Sequence, residues 1–328
     1  ALCGGGALGM AHICVFKALE ESGIKPDIIV GTSIGAIVGG FYATGFSVSE
    51  LQEKALKIKT TNLLDVNFNP QGLLSGRAAE RTITSMLGGD KQIENLPTKF
   101  ACVAVDLNEG EEYVFETGSL VKAMRCSLSV PGVFVPVKFE DKLMVDGGVL
   151  NNVPANVARK LGADIVIAVN LVSDFKPYKT PRNIVHSVAF SFFIMQKELS
   201  KHQLKDYDVL IAPQLKDFRQ YTFNEKNSQA LIDACYNETK QQIRKIKYRI
   251  NKLYNIYKTN TLSVVHNIEK NNTIYGYVVA HMPTSFIKKS SYDVTFIFFV
   301  TYVIILILSL IIFFNLSTLS FFLTENNI

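Results

Sequence analysis

Histidine motifs, paired cysteines and charge are all scarce in this 328-residue chain. The five cysteines (Cys3, Cys14, Cys102, Cys126 and Cys235) are odd in number and scattered, with no C-x-x-C among them. That argues against a disulfide framework or a zinc site and suits a reducing compartment. Of the histidines His12, His186, His202, His266 and His281, none sits in a motif. Nothing here calls for a metal. Charged residues make up only 19 % of the chain, with a net charge of +5. No basic patch is interleaved with aromatics, so nucleic acid is not an expected partner.

Apolar sequence takes the place of charge, and it is concentrated. Residues 294–314 read VTFIFFVTYVIILILSLIIFF, without a charge. At ~1.5 Å per residue such a helix is about 31 Å long, close to the ~30 Å hydrocarbon core of a bilayer. Lys288 and Lys289 precede it and no Lys or Arg follows. The positive-inside rule then predicts a single-pass membrane protein whose N-terminal part faces the cytosol. Residues 240–258 are rich in Lys and Arg, while Ile243, Ile246, Ile250, Leu253, Tyr254 and Tyr257 fall on one helical face. A terminal helix packed on the domain is expected there, with a membrane-surface helix as the alternative. The predicted organisation is a domain over 1–258, a polar linker over 259–293, the span 294–314 and a short tail 315–328.

Within the domain, strands and helices alternate. Residues 1–3 read as the end of a strand, 10–21 as a helix, 28–30 as a β-branched strand, and an Ala/Gly-rich helix follows to about Thr44. Further helices are predicted over 49–59, 75–87, 120–127 and 154–161. Strands are predicted over 100–107, 113–115, 135–139, 142–145 and 165–169, the last of them wholly apolar. This order implies an α/β fold around a mostly parallel sheet.

Two glycine-rich stretches carry the chemistry. In the opening ALCGGGALGMAH, Gly4, Gly6 and Gly9 fit G-x-G-x-x-G. Such a run serves either a dinucleotide or an oxyanion. In IIVGTSIGAIVGG, residues 28–40, Gly31-Thr32-Ser33-Ile34-Gly35 is G-x-S-x-G between a strand and a small-residue helix, the context of a nucleophile elbow. Gly31 and Gly35 keep the turn tight, and Ser33 projects from its strained corner at a helix N-terminus. A dinucleotide fold needs an acid at the far end of the second strand. Here that strand ends in Gly31-Thr32-Ser33, and the nearest acid, Asp27, stands at its other end. The first loop therefore reads as an oxyanion hole, and no nucleotide cofactor is expected. For the base, Asp146 in KLMVDGGVLNNVP leaves an apolar strand into Gly147 and Gly148. A plain Asp-Gly turn is the competing reading of that run. A Ser-His-Asp arrangement would have to draw on His186 or His202.

GGGALG, GTSIG and DGG, in that order, resemble the patatin-like phospholipases, in particular the branch shared by small bacterial members and the neuropathy-target-esterase type. The likeness extends through GLLSG at 72–76, SLSVPGVFVPV at 127–137 and DGGVLNNVP running into LGADIVIAVN, and covers most of residues 1–215. It implies a three-layer α/β/α fold and a Ser–Asp dyad without a catalytic histidine. Ser33 would be the nucleophile, Asp146 the base, and Gly4, Gly5 and Gly6 the oxyanion loop. The implied partners are a phospholipid or lysophospholipid substrate and the bilayer that contains it, with no cofactor. Leu8 stands where many relatives carry Arg or Lys, and the first strand is short. The rival from another class is a lipid-binding membrane scaffold that keeps the fold without turnover.

Overall fold

The computed structural model describes residues 1–66, 71–177, 180–181, 184–218, 222–259, 261–270 and 273–283. It divides into two units, 1–249 and 250–328.

The first unit is built on a mixed sheet. Strand β1 (Ile28–Thr32) runs parallel to the central strand β3 (Lys99–Asp106), with Thr32 opposite Val103. Every residue of β3 after Lys99 is buried, as expected of a strand covered on both faces. Residues 1–3 are short but fully engaged. Leu2 donates to the Val30 carbonyl (2.8 Å) and accepts from Thr32 N (3.0 Å), while Cys3 donates to Val169 O (3.2 Å). They join β1 to β8 (Ile167–Val169), which pairs in parallel with β9 (Val209–Ile211).

The rest of the sheet is antiparallel, which corrects the expectation of a mostly parallel one. Strand β4 (Glu111–Phe115) folds back along one flank of β3, from Cys102↔Phe115 to Asp106↔Glu111. Strand β7 (Lys142–Asp146) pairs antiparallel with β3 and with β6 (Val137–Phe139). The links 107–110 and 140–141 are too short for the helical crossover that parallel strands need, so each enforces a hairpin. A separate parallel pair joins β2 (Gly72–Leu74) to β5 (Gly132–Phe134).

The helices follow the apolar spacing. A 3₁₀ turn at Gly6–Ala11 runs into α1 (His12–Glu21), and α2 (Ile34–Ala43) springs directly from β1. Helix α3 (Val48–Lys57) starts at a capping box in which Ser47 and Glu50 satisfy each other's backbone N–H. Helices α4 (Arg77–Leu87), α5 (Leu120–Ser127) and α6 (Ala155–Lys160) lie within two residues of their predicted bounds. Helix α7 (Ile184–Gln203) was not anticipated, and α8 (Glu225–Thr259) begins well before its basic segment. Ile243 and Ile246 of α8 are buried, as a helix packed on the domain requires.

In the second unit, residues 261–270 and 273–283 are regular where an irregular stretch is expected. Thr261–Lys270 (β10) and Thr273–Pro283 (β11) pair antiparallel. The runs flanking Asn271-Asn272 are rich in Val, Ile and Tyr, a hairpin signal masked by the surrounding Asn, Thr, Ser and Lys. The apolar run 294–314 lies outside the described residues. Among those described, no helix is long and apolar enough to cross a membrane.

Candidate active site

Sheet register brings the two motifs together. Because β4 occupies one flank of β3, strands β1 and β7 share the other. β1 ends with Thr32 opposite Val103, and β7, running the opposite way, ends with Asp146 opposite Ala104. The two strands meet C-terminus to C-terminus, so Ser33 and Asp146 leave the sheet at one point.

Ser33 sits at φ 55°, ψ −124°, a conformation costing a side-chain-bearing residue about 1–3 kcal/mol. Only Ser33 and Glu140 among the described non-glycine residues have positive φ. The surroundings hold the strain in place. Ser33 donates its N–H to Ser127 Oγ (2.8 Å), which in turn donates to Val103 O (2.6 Å). Thr32 Oγ1 donates to Asn151 O (2.9 Å). A Cβ on Gly31 would stand 2.5 Å from Ala36 N and Cα; one on Gly35 would stand 2.5 Å from Cys3 O. The elbow therefore closes only with glycine on both sides of the serine.

Asp146 is wholly buried. Its Oδ1 accepts from Gly148 N (2.7 Å), and Oδ2 has no hydrogen-bond partner of ordinary geometry. Burial pushes its carboxyl up from 3.8 to about 7, against the opposing pull of the Ser33 hydroxyl and the Gly148 N–H. Its backbone N–H donates to Ser129 O (3.0 Å). Arg125, itself buried, fixes that segment by donating to Ser129 Oγ (2.5 Å), Ser75 O (2.8 Å) and Val135 O (3.0 Å).

The glycine loop divides. Gly4 donates its N–H to Asn152 O (3.2 Å), so it is not free to serve as an oxyanion donor. Gly5 and Gly6 (φ 57°) donate to no described residue and open the 3₁₀ turn. A Cβ on Gly9 would overlap the Ile34 side chain, which ties the loop to the elbow helix. Together Gly5, Gly6, Ser33 and Asp146 line one cavity of about 410 Å³. Its walls are apolar, supplied by Ile37 and Phe41 of α2, Leu51 of α3, Ile83 of α4 and Phe192 and Phe193 of α7.

His12 is buried, with Nε2 against Cys3 O (2.9 Å), and burial lowers its pKa to about 4. His202 is exposed and faces Glu198 at 3.5 Å. His186 lines the cavity and stacks on Phe190. Gln196 also lines it, and no motif pointed to either residue. Among the described residues no cluster of three His, Cys, Asp or Glu is arranged to hold a metal ion.

Residues 1–159 match the family model described as Patatin-like phospholipase. This segment is a patatin-like phospholipase domain. The patatin-like phospholipase domain-containing protein 6 of Mus musculus is 38 % identical over 180 residues, covering 52 % of this chain and 13 % of that protein. The lysophospholipase nte1 of Emericella nidulans is 34 % identical over 178 residues, covering 52 % of this chain and 12 % of that protein. An uncharacterized NTE family protein of Mycobacterium tuberculosis is 36 % identical over 180 residues, covering 54 % of this chain and 31 % of that protein. The chain thus spans less than a third of the length of these relatives.

Proposed function

We propose that this protein is a serine acyl hydrolase that cleaves fatty-acyl esters of membrane lipids, phospholipid or lysophospholipid, through a Ser33–Asp146 dyad. The observation that carries the reading is a serine on a strained elbow whose hydroxyl acts on a buried carboxyl, both facing an apolar cavity. Asp146 Oδ2 takes the Ser33 proton as Oγ attacks the ester carbonyl. The N–H groups of Gly5 and Gly6 stabilise the oxyanion, each worth about 2.7–4 kcal/mol in the transition state. The alcohol leaves with the proton returned by Asp146, and water then hydrolyses the acyl-enzyme. A free aspartate near 3.9 would be a weak base. A carboxyl held near 7 is matched to the task.

Lipid is the substrate class that suits the walls, since each buried CH₂ of an acyl chain contributes about 0.8 kcal/mol. The relative named a lysophospholipase supports the same choice. Leu64 and Leu73, both cavity-lining, are 50 % and 44 % exposed, which gives the cavity an apolar lip facing a lipid surface. Helices on both faces of the sheet would complete a three-layer fold. In this reading, residues 294–314 span the membrane and hold residues 1–258 on its cytosolic side, which raises the local substrate concentration without a new contact.

A fluorophosphonate probe applied to membranes carrying the full chain tests the reading. It should label Ser33, fail on Ser33→Ala, and leave the labelled protein in the pellet after carbonate extraction. Labelling elsewhere would remove the nucleophile, and release by carbonate would remove the span.

A further inference from the structure

Gln196 is a buried polar group of the cavity wall that the dyad chemistry leaves unused. It is 2 % exposed, lines the cavity with Ser33 and Asp146, and its Oε1 has no hydrogen-bond partner among the described residues. The side chain reaches the DGG turn: a Cβ on Gly148 would overlap Gln196 Nε2 and stand 2.9 Å from Asp146 Oδ1. Leaving a buried amide oxygen without a donor is costly. The Gln196 oxygen shares the cavity with the Asp146 carboxyl, whose Oδ2 has no partner of ordinary geometry, so the two oxygens can receive a donor between them. Lys54, Thr60 and Thr82, which also line the cavity, are engaged with backbone carbonyls, of Met86, Phe223 and Asn62 in turn. Buried Asn152 also has an unpartnered amide, but it does not line the cavity.

We propose that Gln196 positions the water that hydrolyses the acyl-enzyme, an inference that rests on the Ser33 acyl-enzyme described above. Water has two protons, and this wall offers two acceptors. Asp146 Oδ2 takes one hydrogen bond and Gln196 Oε1 the other, which leaves a lone pair of the water oxygen for the acyl carbon. As the new C–O bond forms, one proton passes to Asp146 Oδ2. That proton goes on to Ser33 Oγ as the Ser33 ester bond breaks. The second proton remains on the product, which leaves as the carboxylic acid. Gln196 neither gains nor loses a proton. It lies on α7, beyond the segment 1–159 that the family model matches.

Pre-steady-state hydrolysis of p-nitrophenyl butyrate separates the two halves of the reaction. Gln196→Leu should release its first equivalent of p-nitrophenolate as fast as the unaltered protein. Its steady-state rate should then fall by about 10²-fold, the size of effect that misplacing a reactant by 1 Å produces. Hydroxylamine, a nucleophile that does not depend on the acceptor pair, should restore turnover. Gln196→Asn, which withdraws the oxygen by one carbon while keeping an amide, should show the same split and decides the matter where the leucine variant does not fold. A first turnover that slows together with the steady state, or a steady state unchanged in Gln196→Asn, overturns the proposal. Failure of the unaltered protein to label at Ser33 would instead remove the acyl-enzyme and the parent reading with it.

Discussion

The floor and the walls of the cavity are specified in different ways. The floor is local: Gly5 and Gly6, the elbow at Ser33 and the DGG turn at Asp146 each occupy a few consecutive residues under hard geometric constraint. The walls come from α2, α3, α4, α7 and the β2–β5 pair, and ask only for apolar side chains of suitable volume. The difference teaches that the chemistry of this site is written in motifs and its capacity in packing. A floor residue should therefore be irreplaceable, and a wall residue adjustable.

Asp146 gives the largest break. Asp146→Asn should lower turnover of soluble esters by about 10⁴-fold or more, since members of a catalytic unit fail together. In the unaltered protein, turnover should rise with pH up to about 7 and then level, as the raised carboxyl ionises. Stability should move the other way. A carboxyl whose pKa is raised on folding contributes stability that is complete below 3.8 and is lost as pH rises through about 7. Asp146→Asn lacks that titration, so at pH 8 it should be the more stable protein, by up to about 4 kcal/mol. Urea melts of both forms across pH 4–8 check this. A stability gap that does not widen with pH would show that the buried carboxyl is not held in its neutral form.

The same contrast governs what the sequence discloses. Ser33 and Asp146 are legible because their neighbours have almost no freedom: a Cβ on Gly31 or Gly35 would run into backbone atoms, and one on Gly147 into Val103 O. The strand ends are legible too, but their meeting on one flank of β3 is not. It depends on β4 taking the opposite flank, and pairing partners leave no local mark. Gln196 sits in an apolar helix where a single amide carries no pattern. Residues 261–270 and 273–283 are obscured for another reason: their Val, Ile and Tyr are diluted by Asn, Thr, Ser and Lys, a composition that reads as linker. Gly4 looks like its two neighbours in sequence and differs only by its bond to Asn152 O.

A wall residue should give a smaller and more selective effect. Ala189 lines the cavity from α7 and is buried, so Ala189→Phe fills part of the space instead of opening it. Each displaced CH₂ of a long acyl chain forfeits about 0.8 kcal/mol of burial. Loss of two or three should cut kcat/KM on a long-chain ester by about tenfold or more, while a butyrate ester changes by about threefold at most. A chain-length series of p-nitrophenyl esters reads this directly. Equal losses on short and long esters would mean that the acyl chain does not occupy this cavity.

His186 should give the smallest effect, and it tests whether the floor is complete without a histidine. It lines the cavity, so proximity alone does not dismiss it as a base. Its place on α7 does bear on the matter. Gln196 is the residue of that helix that reaches Gly148, and His186 lies ten residues earlier, about 15 Å back along the axis. Its ring stacks on Phe190 at 5.9 Å between centroids, a wall contact that suits a residue chosen for shape. His186→Gln should therefore lower kcat on soluble esters by no more than about threefold, where loss of a general base costs about 10²–10⁴-fold. The rise in turnover up to about pH 7 should survive the substitution unchanged, because the titrating group is Asp146. A loss of 10²-fold or more, with that pH dependence abolished, would transfer the base from the floor to the wall.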